Sequence, residues 1–467
     1  MPARGSHISR RSATAALAAL ALTLVAPHTA VAAEPGDPRP AWGVVTPQPR
    51  QVTLPMEDYG DLVVDGTHGK LFLSDPAGGA IVVTDFRGTV LQRITGLPGA
   101  AKLALAPDSA TLYTALPGAD TIAAVSTTTH AVTARYTTGE GTGPSSVVVS
   151  GKRLWFGYGD LGAGNIGSVD LTTAQPTVRL GQSVSNRWYS APSLYVSPAD
   201  PGIVVAGQET GSPTPIAVYD VRTGTAREKA YRWNPGGYTG TLSDLAFSPD
   251  GRNIVLASGS PYHHQVLRTA DLADAGQYPA SAYPNSVAVA RTGAVAAGVN
   301  SSHGSDVFMY KPGTRVSHGV FEFASGDSSP LLLPGGLGWA PESRRLFAVT
   351  QESYDGAPVV LRVLTSPGRA ASDLALYIPS WGEPGVLEFS GSLRSDLPIA
   401  PGTEIRISRR DPGATEPTAL PSVKVDEEGD FGFTDRPVGE GLAVYTATFG
   451  GDTLHLPSVS STEVQLG

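Results

Sequence analysis

The sequence predicts an all-β protein, a seven-bladed β-propeller followed by a smaller β-sandwich, on three observations. A strand–turn–strand pattern recurs seven times, glycine and proline punctuate the whole chain, and the recurrence stops near residue 367 with enough chain left for one more small domain. The 467 residues are too many for one ordinary domain. With 55 glycines and 39 prolines, short strands and tight turns are favoured over long helices.

The N-terminus comes first in order. Arg4, Arg10 and Arg11 precede an apolar run over residues 15–26, and small residues follow up to Ala30-Val31-Ala32-Ala33. This is the layout of a secretory signal, with cleavage expected near Ala33 and a flexible segment over 34–44. Ser9-Arg10-Arg11 is similar to a twin-arginine signal, but Ser12-Ala13-Thr14 stands where apolar residues should follow, so Sec and Tat export both stay open. No segment approaches the ~20 apolar residues of a transmembrane helix. A secreted bacterial protein is expected, extracellular or associated with the cell envelope. Cysteine is absent, which excludes disulfides, thiolate metal sites and a cysteine nucleophile. Removing the signal takes the formal charge from −9 to −12, and no basic run occurs elsewhere, which disfavours nucleic acid as a partner.

The repeat occupies residues 45–367. Its clearest copy, LAFSPDGRNIVLAS from Leu245, reads as strand, polar turn, strand. Relatives begin at Leu62, Leu103, Val147, Leu194, Val287 and Leu337, with successive starts 41, 44, 47, 51, 42 and 50 residues apart. A second strand pair follows most copies, as in AIVVTDFRGTVLQRI from Ala80. Four antiparallel strands every 40–50 residues mark propeller blades, because one such sheet cannot bury both faces unless neighbours stack on it radially. The seventh copy has one clear strand, residues 359–364, after its first pair and so lacks a strand. Residues 50–55 (RQVTLP) resemble the outer strands of other copies and are expected to pair there, joining the two ends of the ring.

The pattern at residues 103–115 and 245–258 resembles YVTN-type and WD-repeat propellers, although the Tyr-Val-Thr-Asn tetrad and the Gly-His and Trp-Asp pairs are absent. The resemblance implies the fold. It leaves function among scaffold, ligand binder, lactonase, lyase and dehydrogenase.

After a linker at 368–371, residues 372–467 contain seven candidate strands, near 374–378, 386–393, 404–408, 422–425, 430–433, 442–449 and 458–464. Their spacing favours a β-sandwich. AVYTATFGGDTLHLPS from Ala443, with residues 393–408 and the DEEGDFGFTD run, resembles bacterial immunoglobulin-like repeats, which implies a spacer or adhesive module. Tyr445 reads equally as a corner tyrosine or an ordinary core tyrosine.

No nucleophile elbow, P-loop, His-Glu-x-x-His helix or dinucleotide fingerprint is present, so no catalytic residue is assigned and no cofactor is expected. His263, His264 and His303 could meet in a metal site, but adjacent residues on a strand point to opposite faces, and solvated loop histidines are the better reading. Asp426, Glu427, Glu428 and Asp430 read as a hairpin turn rather than a calcium loop. Asp108 and Asp250 read as turn residues.

In a propeller, the loops between second and third strands emerge on the same face as the linkers between blades. That face receives Tyr59, Tyr158, Asp160, Arg187, Trp188, Tyr189, Trp233, Tyr238, His263, Tyr283, His303 and Tyr354, whereas the opposite turns are short and polar. Exposed aromatic rings suit a glycan, a peptide or a protein partner; the alternative is that they only pack over the channel mouth. The leading expectation is a monomeric binding or scaffold protein whose binding face lies between the third and fifth blades. The alternatives are a hydrolase or lyase acting on a lactone or glycan, and a purely structural surface protein.

Overall fold

The computed structural model describes residues 49–467 apart from 185–187, 236–239, 302–303, 324–329, 354–355, 368, 370–371, 396–398, 453–454 and 467. Between residues 50 and 365 the chain forms seven antiparallel four-stranded sheets. Six are consecutive in sequence. The last combines Leu331–Trp339, Arg345–Gln351 and Val359–Thr365 with the N-terminal strand Arg50–Thr53. Arg50 lies opposite Val363 and Thr53 opposite Val360, so the expected closing strand is in place.

Burial explains the composition of each sheet. Inner strands such as Lys70–Asp75 and Ala80–Asp85 are buried almost throughout, as continuous apolar runs require, while outer strands such as Val132–Thr137 alternate between partly buried and exposed residues. Seven hydrophobic clusters each draw on two successive sheets. One of them joins Phe347, Val349 and Leu361 of the last sheet to Leu71, Leu73 and Val82 of the first. No sheet therefore has an unsupported face.

The polar turns behave as their composition requires. Asp108 Oδ1 accepts the Ala110 N–H at 2.9 Å, and Asp250 Oδ1 accepts the Arg252 N–H at 3.1 Å. Gly251 follows at φ 69°, and a Cβ there would stand 2.6 Å from Ser197 Oγ.

One carboxyl is buried between the last two sheets. Asp306 is 2% exposed, and its Oδ2 accepts the Phe323 N–H at 2.6 Å. Burial pushes its pKa up to about 7, against the Phe323 N–H and the buried Arg362, which would lower it. A folded-state pKa above the unfolded value favours folding below about pH 4, and that contribution is lost as pH rises through about 7. Asp306→Asn keeps an acceptor and cannot ionise. Relative to this variant, the wild type is expected to lose up to about 1.4 kcal/mol per pH unit between pH 4 and 7 in urea unfolding. Parallel stability-versus-pH curves would contradict the assignment.

The C-terminal region forms two further sheets. One contains Ser372–Leu376, Ser380–Trp381, Leu387–Ser395 and Asp430–Asp435; the other contains Glu404–Arg410, Thr418–Lys424, Gly441–Phe449 and Ser458–Leu466. Both contribute to one core, with Leu387, Phe389 and Phe431 from the first and Ile405, Tyr445 and Phe449 from the second. Tyr445 is fully buried against Phe389, at 4.3 Å between ring centroids. Its hydroxyl donates to Asp435 Oδ2 at 2.7 Å instead of to upstream backbone, so it is a core tyrosine and not a corner tyrosine. Asp426 Oδ1 accepts the N–H groups of Glu428 and Asp430, which makes the acidic run a self-bonded turn.

Candidate functional site

The first strands of all seven sheets line a central cavity of about 440 Å³. It is polar where these strands begin and apolar farther along, with Leu105, Val149, Val196 and Phe247 in the bore. The polar collar has a structural origin. Each repeat copy starts on a Leu or Val, and in four of the seven the residue just before that start reaches the next sheet. Asp61 Oδ2 accepts the Leu103 N–H at 2.8 Å, and Ser146 Oγ accepts the Leu194 N–H at 2.9 Å. Asp244 Oδ2 accepts the Val287 N–H at 2.8 Å, and Ser286 Oγ accepts the Leu337 N–H at 3.1 Å. Neighbouring sheets are thereby tied at the channel, where backbone N–H groups would otherwise be buried without partners.

Lys102 occupies the same position in the second copy and is the cation of the collar. Its Nζ lies 3.8 Å from Asp61 Oδ1 and 3.7 Å from Glu209 Oε1, and Ser193 Oγ donates to that same Glu209 oxygen at 2.5 Å. Burial alone would lower the Lys102 pKa, but the Glu209 and Asp61 carboxylates outweigh it and hold the ammonium well above its ordinary value. Burial raises Asp61 despite Lys102. Burial also raises Asp244 to about 6, against the Val287 N–H and Lys102. Tyr59 and Tyr195 are pushed well up by burial; the Tyr59 hydroxyl donates to the Gly335 carbonyl at 3.0 Å, and the Tyr195 hydroxyl has no partner among the described residues. The collar thus offers one ammonium, three carboxyls and a free phenol to a polar group entering the channel.

The channel opens on the face carrying the loops between second and third strands and the linkers between sheets. Pro76, Pro117, Gly159 and Thr210 from the loops and Ala101, Ser145, Ala191 and Ser243 from the linkers surround a basin of about 920 Å³, which shares Lys102 and Ser193 with the cavity below. Asp160 lies exposed on its rim. Beside it is a pocket of about 360 Å³ bounded by Trp188, Tyr189 and Trp233.

The sequence-derived candidates separate here. Tyr189 and Trp233 are exposed, at 56% and 58%. Trp188 is only 3% exposed, a correction to its expected place among exposed loop rings: its indole packs in the core between the third and fourth sheets, with one edge on the pocket. Tyr158 is partly buried against Phe156, and its hydroxyl accepts the Gly181 N–H at 2.9 Å, so packing accounts for it. Tyr283 is exposed beside Tyr262, with centroids 5.0 Å apart. His263 Nε2 is 3.0 Å from Gln265 Oε1. His264 is fully buried, and burial lowers its pKa to about 4. Its Nε2 lies 3.1 Å from the carbonyls of both Ser286 and Gly298, which requires that nitrogen to donate and removes it as a metal ligand. Among the described residues no three His, Asp or Glu side chains are grouped to hold a metal ion. Arg187, Tyr238, His303 and Tyr354 lie outside the described residues. The charged collar is what the sequence reading missed, and its signal was a polar residue immediately before six of the seven repeat starts.

No family model matches the chain, and no curated protein matches it. Solved structures do. Hydrazine synthase of Kuenenia stuttgartiensis is similar at TM-score 0.51 and 17% identity, over 67% of this chain and 97% of that one. The β-propeller domain of Cps50 (Swd1) from Myceliophteria thermophila is similar at TM-score 0.51 and 12% identity, over 68% of this chain and 99% of that one. This chain contains a β-propeller. At such identities the likeness is one of fold, and the function must be read from the propeller's own surfaces.

Proposed function

We propose that this protein is a secreted or envelope-associated binding protein, in which a seven-bladed propeller over residues 45–367 presents its loop-rich face to a glycan, peptide or protein. An N-terminal signal over residues 1–33 exports it, and residues 372–467 form an immunoglobulin-like sandwich that serves as spacer or second contact. The observation that carries this reading is the basin of about 920 Å³ on that face, continuous with the charged collar and flanked by exposed aromatic rings. Propeller-fold neighbours fit a binding or scaffold role equally well.

The test is an array of glycans, peptides and cell-envelope fractions probed with the purified chain. Leu161, 67% exposed on the basin rim, is changed to Arg, and Arg87 in an exposed opposite-face turn is changed to Glu. Specific retention by the wild type and by Arg87→Glu, weakened at least tenfold in Leu161→Arg, is the expected outcome. Equal weakening by both variants, or by neither, would remove the face from consideration. Asp244, raised to about 6 inside the cavity, is the feature that favours the alternative of a hydrolase or lyase; turnover of an arrayed lactone or glycan, lost in Asp244→Asn, would select it.

A further inference from the structure

The aromatic pocket beside the basin is built more rigidly than an incidental surface hollow. The linker carrying Trp188 is pinned where Trp188 bridges to Gly164. A side chain at Gly164 would stand 2.0 Å from the Ser190 carbonyl oxygen, so only glycine admits the linker there. The Tyr189 N–H donates to Gln208 Oε1 at 2.8 Å, and the Tyr189 carbonyl accepts the Gly162 N–H at 2.5 Å. Trp233 ends the strand Arg227–Trp233, in register with Pro215. Tyr189 and Trp233 are both more than half exposed where they line this pocket.

We propose that this pocket binds one neutral pyranose unit of a glycan, with the Tyr189 and Trp233 rings against the sugar's apolar C–H surface. This rests on the binding-face reading above. No charged side chain lines the pocket among the described residues, which favours a neutral sugar over an ionic group. Its volume, about 360 Å³, lies at the small end of ligand sites and suits one ring. An extended peptide would instead need a row of free backbone donors and acceptors, and the Gln208 amide here is already engaged by Tyr189 and Thr210.

The experiment uses the purified chain, saturation-transfer NMR and calorimetry, with methyl glycosides of glucose, galactose, mannose and N-acetylglucosamine as probes and a proline-rich peptide as counter-probe. At least one glycoside should show saturation transfer at its ring C–H protons. Its affinity should fall at least tenfold in Trp233→Ala or Tyr189→Ala. Unchanged thermal midpoints in the two surface variants establish that they fold. Absence of transfer from every glycoside overturns the sugar assignment; if the peptide then binds and Trp233→Ala abolishes it, the face survives as a peptide site. A glycoside bound equally by the wild type and both variants overturns the pocket itself.

Discussion

Removing residues 50–54 opens the propeller, and the truncated chain is expected to unfold at a markedly lower urea concentration than the intact one. The strand Arg50–Thr53 supplies the outer edge of the last sheet, and the Leu54 N–H continues the ladder to the Val359 carbonyl at 2.9 Å. Leu54 is 3% exposed in the cluster joining the last sheet to the first. Val52 packs on that cluster, and its Cγ2 would lie 2.9 Å from a Cβ placed at Gly88, in a turn of the first sheet. Truncation therefore leaves a row of backbone groups without partners and uncovers apolar surface on both sides of the closure. Leu54→Ala alone should cost about 2–5 kcal/mol, the range for emptying a buried leucine site. A truncated chain with an unchanged midpoint would mean that ring closure contributes nothing to stability.

How far such features could be read in advance depended on whether a residue's role is local. Asp108, Asp250 and Asp426 bond their own backbones, so their function is complete within a few residues and sequence alone identifies it. The repeat starts were legible because a Leu or Val recurs at the same place, and each falls on the first strand of a sheet. In the C-terminal region the candidate strand segments all overlap strands, with 374–378 and 422–425 displaced toward the C-terminal ends of Ser372–Leu376 and Thr418–Lys424, while the two-residue Ser380–Trp381 was too short to show a period. The collar was not legible, because the position before the first six starts is filled by Asp61, Lys102, Ser146, Ser193, Asp244 and Ser286, and Gly336 precedes the seventh. Carboxylates at Asp61 and Asp244 and hydroxyls at Ser146 and Ser286 perform the same linking role, while Lys102 faces carboxylates, and they converge only when the sheets surround a common axis. Trp188 misled for the opposite reason. A tryptophan on a linker looks exposed unless one knows that Gly164 lets the linker settle into the fold.

Lys102→Met should be the most damaging single change in the collar, and its cost should depend on pH. Lys102 is the cation that holds Asp61 and Asp244 down against burial and lies 3.7 Å from Glu209 Oε1, and its side chain is 22% exposed. Deleting one partner of a buried charge cluster strands the others, a loss of about 3–5 kcal/mol; the lower end applies because Glu209 remains open to solvent. The sign with pH follows from the direction of the carboxyl shifts. Asp61 and Asp244 already sit above their unfolded values, and without the ammonium they move higher. The folded variant then binds more protons than the unfolded chain up to a higher pH, so its stability keeps falling as pH rises past about 6. The gap between wild type and variant should be widest near pH 8 and narrow toward pH 5, where the carboxyls take up protons and no longer need the cation. Adding Asp244→Asn to Lys102→Met should recover at least about 1 kcal/mol at pH 8, since two residues in one charge network do not act additively. An equal loss at pH 5 and pH 8 with no recovery in the double variant would instead assign Lys102 a packing role, with its aliphatic stem and not its charge holding the collar together.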